Sequence, residues 1–262
     1  MAEVERVPIV RFNEDEKGHA DDVVVREFPL TIILNNQELV TLLCTPAHLD
    51  YLAVGFLSSE GLIGKKEEIK KITVDEKRGV VRVETGEGTK QAGELVFKRL
   101  ITSGCGRGAS FYSAADVISQ KKVESKTSVS AAEIFELVRE FQHRSQIFRT
   151  TGGVHSAALC DAKNILIFSE DIGRHNAIDK IFGECILKDI PTEDRIIVTS
   201  GRVSSEILLK AAKRNIPLLV SKSAPTDMGV KLAGDLGITL VGFVRGKRMN
   251  VYANDWRVLS HG

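Results

Sequence analysis

The sequence lacks most of the features that would fix its class directly. Its four cysteines, Cys44, Cys105, Cys160 and Cys185, are far apart and form no C-x-x-C pair. That spacing excludes a zinc ribbon, and so few cysteines in 262 residues argue against a disulfide framework. No apolar run reaches the roughly 18 residues needed to span a bilayer. The opening stretch MAEVERVPIVRF has neither the basic start nor the apolar core of a secretory leader, so a cytoplasmic protein without a membrane partner is expected. An excess of one charge is missing too: 36 Lys plus Arg face 35 Asp plus Glu, a net +1. No whole-chain field draws the protein to nucleic acid, so an anionic partner must be met by a local cluster of cations. Neither G-x-x-x-x-G-K-[ST] nor G-x-G-x-x-G occurs, which removes the two common nucleotide loops.

What is present reads as an α/β protein. FPLTIIL and QELVTLLCT flank Asn35-Asn36, a two-residue turn that tolerates positive φ, and predict a hairpin. Thr45-Pro46 reads as an N-cap and first helical residue, opening a helix that stops at Gly61. KKITVDEKRGVVRVET predicts a second hairpin, and LVFKRLITSG a strand running into a glycine loop. Residues 119–128, SQKKVESKTS, are polar and aperiodic and read as a linker, with Ser130 to Glu133 as a capping box beyond it. From there strands and helices alternate: VHSAALC and NILIFSE pair, helices follow at RHNAIDKIFGECILK, SSEILLKAAKRN and PTDMGVKLAGDLG, and RIIVTS, IPLLVSK, ITLVGFV and RMNVYA are strands. Such alternation implies a partly parallel sheet with helices on both faces. The expected division is a β-rich N-terminal domain over 1–125 and an α/β domain over 126–262.

In open α/β sheets ligands bind beyond the carboxyl ends of strands. Four segments fall at such ends: SEDIGRHN, TSGRVSSE, SKSAPTDMG and GFVRGKR. Arg174, Arg202, Lys222, Arg245, Lys247 and Arg248 would converge there and supply the missing local cluster for a phosphate-bearing ligand. His155 and His175 are acid–base candidates, and Glu170-Asp171 beside Arg174 reads as an ion-pair network. The same strand order would suit a zinc deaminase, which needs H-x-E and then P-C-x-x-C. Here the match is His155-Ser156-Ala157, with alanine in the place of the glutamate and no second motif, so neither that chemistry nor zinc is expected.

Cys44, Cys160 and Cys185 sit in apolar runs and read as small buried hydrophobes. Cys105, in TSGCGRGAS, does not. Gly104, Gly106 and Gly108 predict a bare, mobile backbone, and Arg107 brings a cation that favours the thiolate. With no histidine nearby in sequence to act as base, this cysteine suits a carrier of sulfur better than a hydrolase nucleophile.

TSGCGRG, TTGGVHSAAL, EDIGRHNAIDKI, TSGRVSSEILLKA, SKSAPT and VGFVRGKRMNVY occur in the order seen in the FdhD family, which this sequence resembles over nearly its whole length. The resemblance implies a cytidine deaminase-like C-terminal domain beside a smaller one. It implies a sulfurtransferase-type carrier that takes a persulfide from a cysteine desulfurase on Cys105. The sulfur would pass to the molybdenum cofactor, bis(molybdopterin guanine dinucleotide), destined for formate dehydrogenase. Phe243, Val244, Arg245, Gly246, Lys247 and Arg248 match the segment that binds that cofactor, and Asp171, Arg174, His175, Ser200, Arg202 and Lys222 are expected to line the same pocket. A homodimer is suggested as well. One departure stands out: many members carry C-x-x-C in the glycine loop, whereas this chain has Gly108 at the second position. A non-catalytic chaperone that binds and inserts the cofactor is the alternative.

Overall fold

The computed structural model describes residues 2–14, 16–86, 100–101, 109–110 and 121–260. The chain opens with a long antiparallel ribbon, β1 (Val4–Phe12) and β2 (Lys17–Val25), paired from Val4↔Val25 to Phe12↔Lys17. Next come β3 (Phe28–Leu34) and β4 (Gln37–Cys44), joined through Asn35 and Asn36, both at positive φ. This is the turn the sequence predicts: two residues with left-handed backbone match the twist of the strands they join. With β5 (Ile69–Asp75) and β6 (Val80–Thr85) they form a four-stranded sheet in the order β4-β3-β6-β5. The short strands β7 (Leu100–Ile101) and β8 (Ala109–Ser110) pair with each other. The rest of the predicted strand at LVFKR and the glycine loop with Cys105 lie outside the described residues.

Helix α1 (Leu49–Ser59) lies against the four-stranded sheet and is buried almost all round. It does not start at Thr45-Pro46. Its first cap position is His48, held at positive φ, and Thr45 is used elsewhere. The two-residue strand β9 (Val129–Ser130) leads into α2 (Ala131–Arg144), whose capping box between Ser130 and Glu133 forms as the sequence predicts. A short helix α3 (Gln146–Thr151) then precedes β10 (His155–Cys160) and β11 (Ile165–Asp171).

The remaining elements alternate: α4 (Arg174–Leu187), β12 (Ile196–Thr199), α5 (Ser205–Lys213), β13 (Leu218–Ser221), α6 (Asp227–Leu236), β14 (Thr239–Arg245), β15 (Arg248–Ala253) and β16 (Val258–Leu259), the last paired with β9. Six of these strands make one mixed sheet ordered β11-β10-β12-β13-β14-β15, parallel along β12-β13-β14 and antiparallel elsewhere. Side chains alternate across it. Leu159, Ile197, Leu219 and Leu240 pack into one core with α4, α5 and α6. Ala158, Val198, Val220 and Val241 pack into the other with α2. Burial on both faces explains why these strands read as continuous apolar runs rather than alternating ones.

Residues 121–128 carry no regular structure, yet they are not a free linker. Val123 is buried in the larger core, and buried Arg257 donates to the carbonyls of Ser125 and Gly237. Polar composition hid this anchoring because the polar groups concerned are main-chain carbonyls. Among the described residues no helix is long and apolar enough to cross a membrane.

Candidate functional site

Strand directions put six strand ends along one edge of the mixed sheet. His155 faces Asp171 across β10 and β11, Thr199 faces Ser221 across β12 and β13, and Arg245 faces Arg248 across β14 and β15. The four segments singled out from sequence therefore meet there. Backbone hydrogen bonds knit their loops together: Lys222 N–H donates to Thr199 O, Thr226 N–H to Val203 O, and Phe243 N–H to Ser223 O. Gly201 gives Arg174 room, since a Cβ at that position would lie 2.8 Å from the arginine side chain.

At one end of this edge stand cations that pair with no carboxylate among the described residues. Lys222 is half-buried, and burial together with Arg245 lowers its pKa. Arg245 lies over the Phe243 ring at 5.8 Å. Arg245, Gly246, Lys247 and Arg248 are exposed, whereas Val244 points into the core on the α2 side. Among the described residues, Arg202, Lys222, Arg245, Lys247 and Arg248 take part in no ion pair. Phe243 sits at φ 52, where β14 departs from its pairing with β15. A bulky residue in the left-handed region is uncommon and persists only where its surroundings impose it. Sequence gave no sign of that backbone.

The other end holds the histidines. His155 Nδ1 lies 3.3 Å from Ser200 Oγ. Burial and then Arg174 push the His155 pKa down, against a smaller upward pull from Asp171. His175 is held well below the usual histidine range by burial, with Lys210, Arg174 and His155 around it. Its contact with Glu206, 3.4 Å, is too long to reverse this. Sequence reasoning named both histidines but missed Glu206 and the pairing of His155 with Ser200, because the partners come from separate strands and helices.

Asp171 is a correction. Sequence placed it in the ligand pocket and in a network with Arg174. It is fully buried, pairs with Lys180 Nζ at 2.7 Å, and accepts from Thr45 N, Gly173 N and Asn176 Nδ2. Its valences are spent joining β11 to the segment before α1. Glu170 likewise accepts from the N–H groups of Ile147 and Phe148 at the start of α3, an ordinary use of a carboxylate at a helix N-terminus. Cys44, Cys160 and Cys185 are buried as expected, and burial pushes each thiol up to about 12. Ser156 bonds to Ser145, and Ala157 is core. Among the described residues no group of His, Cys, Asp and Glu is arranged to hold a metal ion.

Mixed α/β sheets of this kind define a class whose ligands sit beyond the carboxyl ends of the strands. Comparisons make the class specific. Residues 25–259 match the FdhD/NarQ family. The chain is 46% identical over 250 residues to the sulfur carrier protein FdhD of Bacillus pumilus and 45% identical over 248 residues to that of Bacillus subtilis, with 95% of each chain covered in both cases. Its fold is similar to a crystal structure described as a formate dehydrogenase accessory protein from Desulfotalea psychrophila, with a TM-score of 0.84 and 27% identity, covering 98% of this chain and 100% of the other. The chain belongs to the FdhD/NarQ family.

Proposed function

We propose that the protein is a sulfur carrier, on a deaminase-like scaffold, for the bis(molybdopterin guanine dinucleotide) cofactor of formate dehydrogenase. The observation that carries the ligand half of this reading is that Lys222, Arg245, Lys247 and Arg248 take part in no ion pair among the described residues, in a chain whose net charge is +1. Like charges gathered without counter-charges cost stability, and a guanine dinucleotide brings the phosphates that offset that cost. The names of the Bacillus relatives support the sulfur half.

Cys105 is the acceptor. The other three thiols are buried and protonated well beyond neutral pH, and a protonated, enclosed thiol neither attacks nor delivers sulfur. A desulfurase persulfide passes its outer sulfur to the Cys105 thiolate, one S–S bond forming as another breaks, with no net oxidation. Discharge is different. A second thiol attacks the inner sulfur of the Cys105 persulfide, forms a disulfide and releases hydrogen sulfide. With Gly108 in place of a second loop cysteine, that thiol comes from the acceptor or a separate reductant. Gly108 also favours a second reading, a cofactor chaperone that moves no sulfur.

Intact mass after incubation with a cysteine desulfurase and cysteine separates the two. The carrier gains about 32 Da on Cys105, the mass of one sulfur on the oxidation ladder of a thiol. Cys105→Ala gains nothing, restores no formate dehydrogenase, and still binds a guanine nucleotide within a few fold of the parent. A Cys105→Ala protein that supports active formate dehydrogenase overturns the carrier reading.

A further inference from the structure

Helix α1 serves two neighbours at once. Leu52, Ala53, Phe56 and Leu57 pack into the core of the four-stranded sheet. Its opposite side meets α4 backbone to backbone, where neither Gly55 nor Gly183 has room for a Cβ. A buried ion pair stands at each end of this crossing, and each is completed from the other side. Asp171 and Lys180 belong to the mixed-sheet half. Yet Thr45, just before α1, donates its N–H and its hydroxyl to Asp171, and the same hydroxyl accepts from Lys180 at 2.8 Å. Asp179 and Lys210 belong to that half too, and the hydroxyl of Ser59, the last residue of α1, donates to Asp179. Further bonds lengthen the seam: Asn176 Nδ2 donates to Leu43 O at 2.8 Å, Lys213 Nζ to Ser59 O at 2.6 Å, and Arg214 to Gly64 O at 3.1 Å.

We propose that the four-stranded sheet and the mixed sheet form one rigid body, and that sulfur is taken up and delivered without either half turning on the other. Halves of a chain joined by a small polar interface move by default. This interface denies both ordinary motions. Sliding of one helix along the other would drive backbone into backbone at Gly55 and Gly183, where packing leaves no slack. Hinging is opposed by the two completed ion pairs. Helix α1 has 11 residues, so the pairs at its ends stand about 16 Å apart. A turn of about 10° around its middle would move each end by about 1.4 Å, enough to break a hydrogen bond there. Breaking them leaves buried charge short of partners, which is costly. The consequence concerns Cys105. The chain leaves the N-terminal sheet at Gly86, whose N–H donates to Glu68 O, and enters the larger core at Val123, whose N–H donates to Leu236 O. Cys105 lies between these positions in sequence, so in a rigid body its two anchors keep a fixed separation. The rigidity stands without the carrier reading; only its bearing on sulfur rests on that reading.

Hydrogen exchange of the full chain in increasing urea tests this. A rigid body opens as a unit, so the slowest amides of β3 and β6 and those of β12 and β13 are expected to exchange through a single opening with the same urea dependence. Thr45→Val and Ser59→Ala each remove one hydroxyl, and each is expected to speed that exchange about tenfold in both sheets alike, as loss of a charge-assisted hydrogen bond does. Spin labels supply a second measurement. A ketone-bearing amino acid in place of exposed Lys71 and Lys231 carries the labels and leaves every cysteine free for sulfur. One narrow distance is expected, unchanged when a cysteine desulfurase and cysteine load the chain. If β3 and β6 exchange through an opening of their own, with a shallower urea dependence than β12 and β13, the proposal is overturned. A variant that loosens one sheet only overturns it too, as does a broad or shifting label distance. A chain that gains no sulfur mass but keeps one opening and one distance overturns the carrier reading and leaves the rigid body standing.

Discussion

Two regions of the molecule treat charge in opposite ways. Where α1 meets α4, charged side chains are buried and paired. Lys180 reaches Asp171 and the Thr45 hydroxyl, and Lys210 reaches Asp179, which also accepts from Ser59 Oγ at 2.6 Å. The helices that carry these groups touch through backbone: a Cβ on Gly55 would fall 1.7 Å from Asp179 O, and one on Gly183 would fall 1.8 Å from Tyr51 O. At the strand ends Arg202, Lys222, Arg245, Lys247 and Arg248 are exposed or half-buried and, among the described residues, take part in no ion pair. Burying a charge is tolerable only with a partner, so the paired region reads as architecture. Cations clustered without an ion-pair partner among the described residues have no such structural return.

The sharpest way to break this comparison is to remove one member of a buried pair. Lys180→Met leaves Asp171 buried and uncompensated, and is expected to cost about 3–5 kcal/mol in urea unfolding. Lys180→Met combined with Asp171→Leu should recover part of that loss. A Lys180→Met protein as stable as its parent would show that this junction is not held by its ion pair.

Removing a cation from the mouth should do the reverse. Arg245→Ala and Arg248→Ala are exposed changes, expected to shift stability by no more than about 0.5 kcal/mol. Each is expected to weaken GDP about tenfold or more, as loss of a charge-assisted hydrogen bond does, with a shallower dependence of affinity on salt. Calorimetry of the two variants at two salt concentrations measures this. An unchanged affinity removes that arginine from the ligand site.

The same contrast explains what the sequence made legible. The Asn35-Asn36 turn, the Ser130–Glu133 capping box and the alternation after Ser130 each depend on residues a few positions apart, and each was readable. So were the strand-end segments, because parallel strands with helical crossovers bring their carboxyl ends to one edge. Thr45 and Asp171 were misread for one reason. Thr45-Pro46 has the local form of a helix start, but the threonine hydroxyl is spent on groups 125 or more positions away. The direction of Asp171 is decided by Lys180 and Thr45 packing against it. Long-range pairing overrides local grammar wherever the pair is buried.

Acidity offers a gentler probe of the mouth. His175 sits among cations and within the protein, and its folded pKa lies well below the ordinary value near 6.5. Below about pH 6.5 the unfolded chain therefore takes up a proton that the folded chain declines, and stability falls as pH drops. The slope from this group is at most about 1.4 kcal/mol per pH unit, and it vanishes above the unfolded pKa. The lowered carboxylates Glu133, Asp161 and Asp194 act in the opposite pH window, since their protonation matters only near pH 4 and below. Urea unfolding from pH 7.5 to 5.5 thus isolates the histidines, and His175→Gln should flatten the curve there.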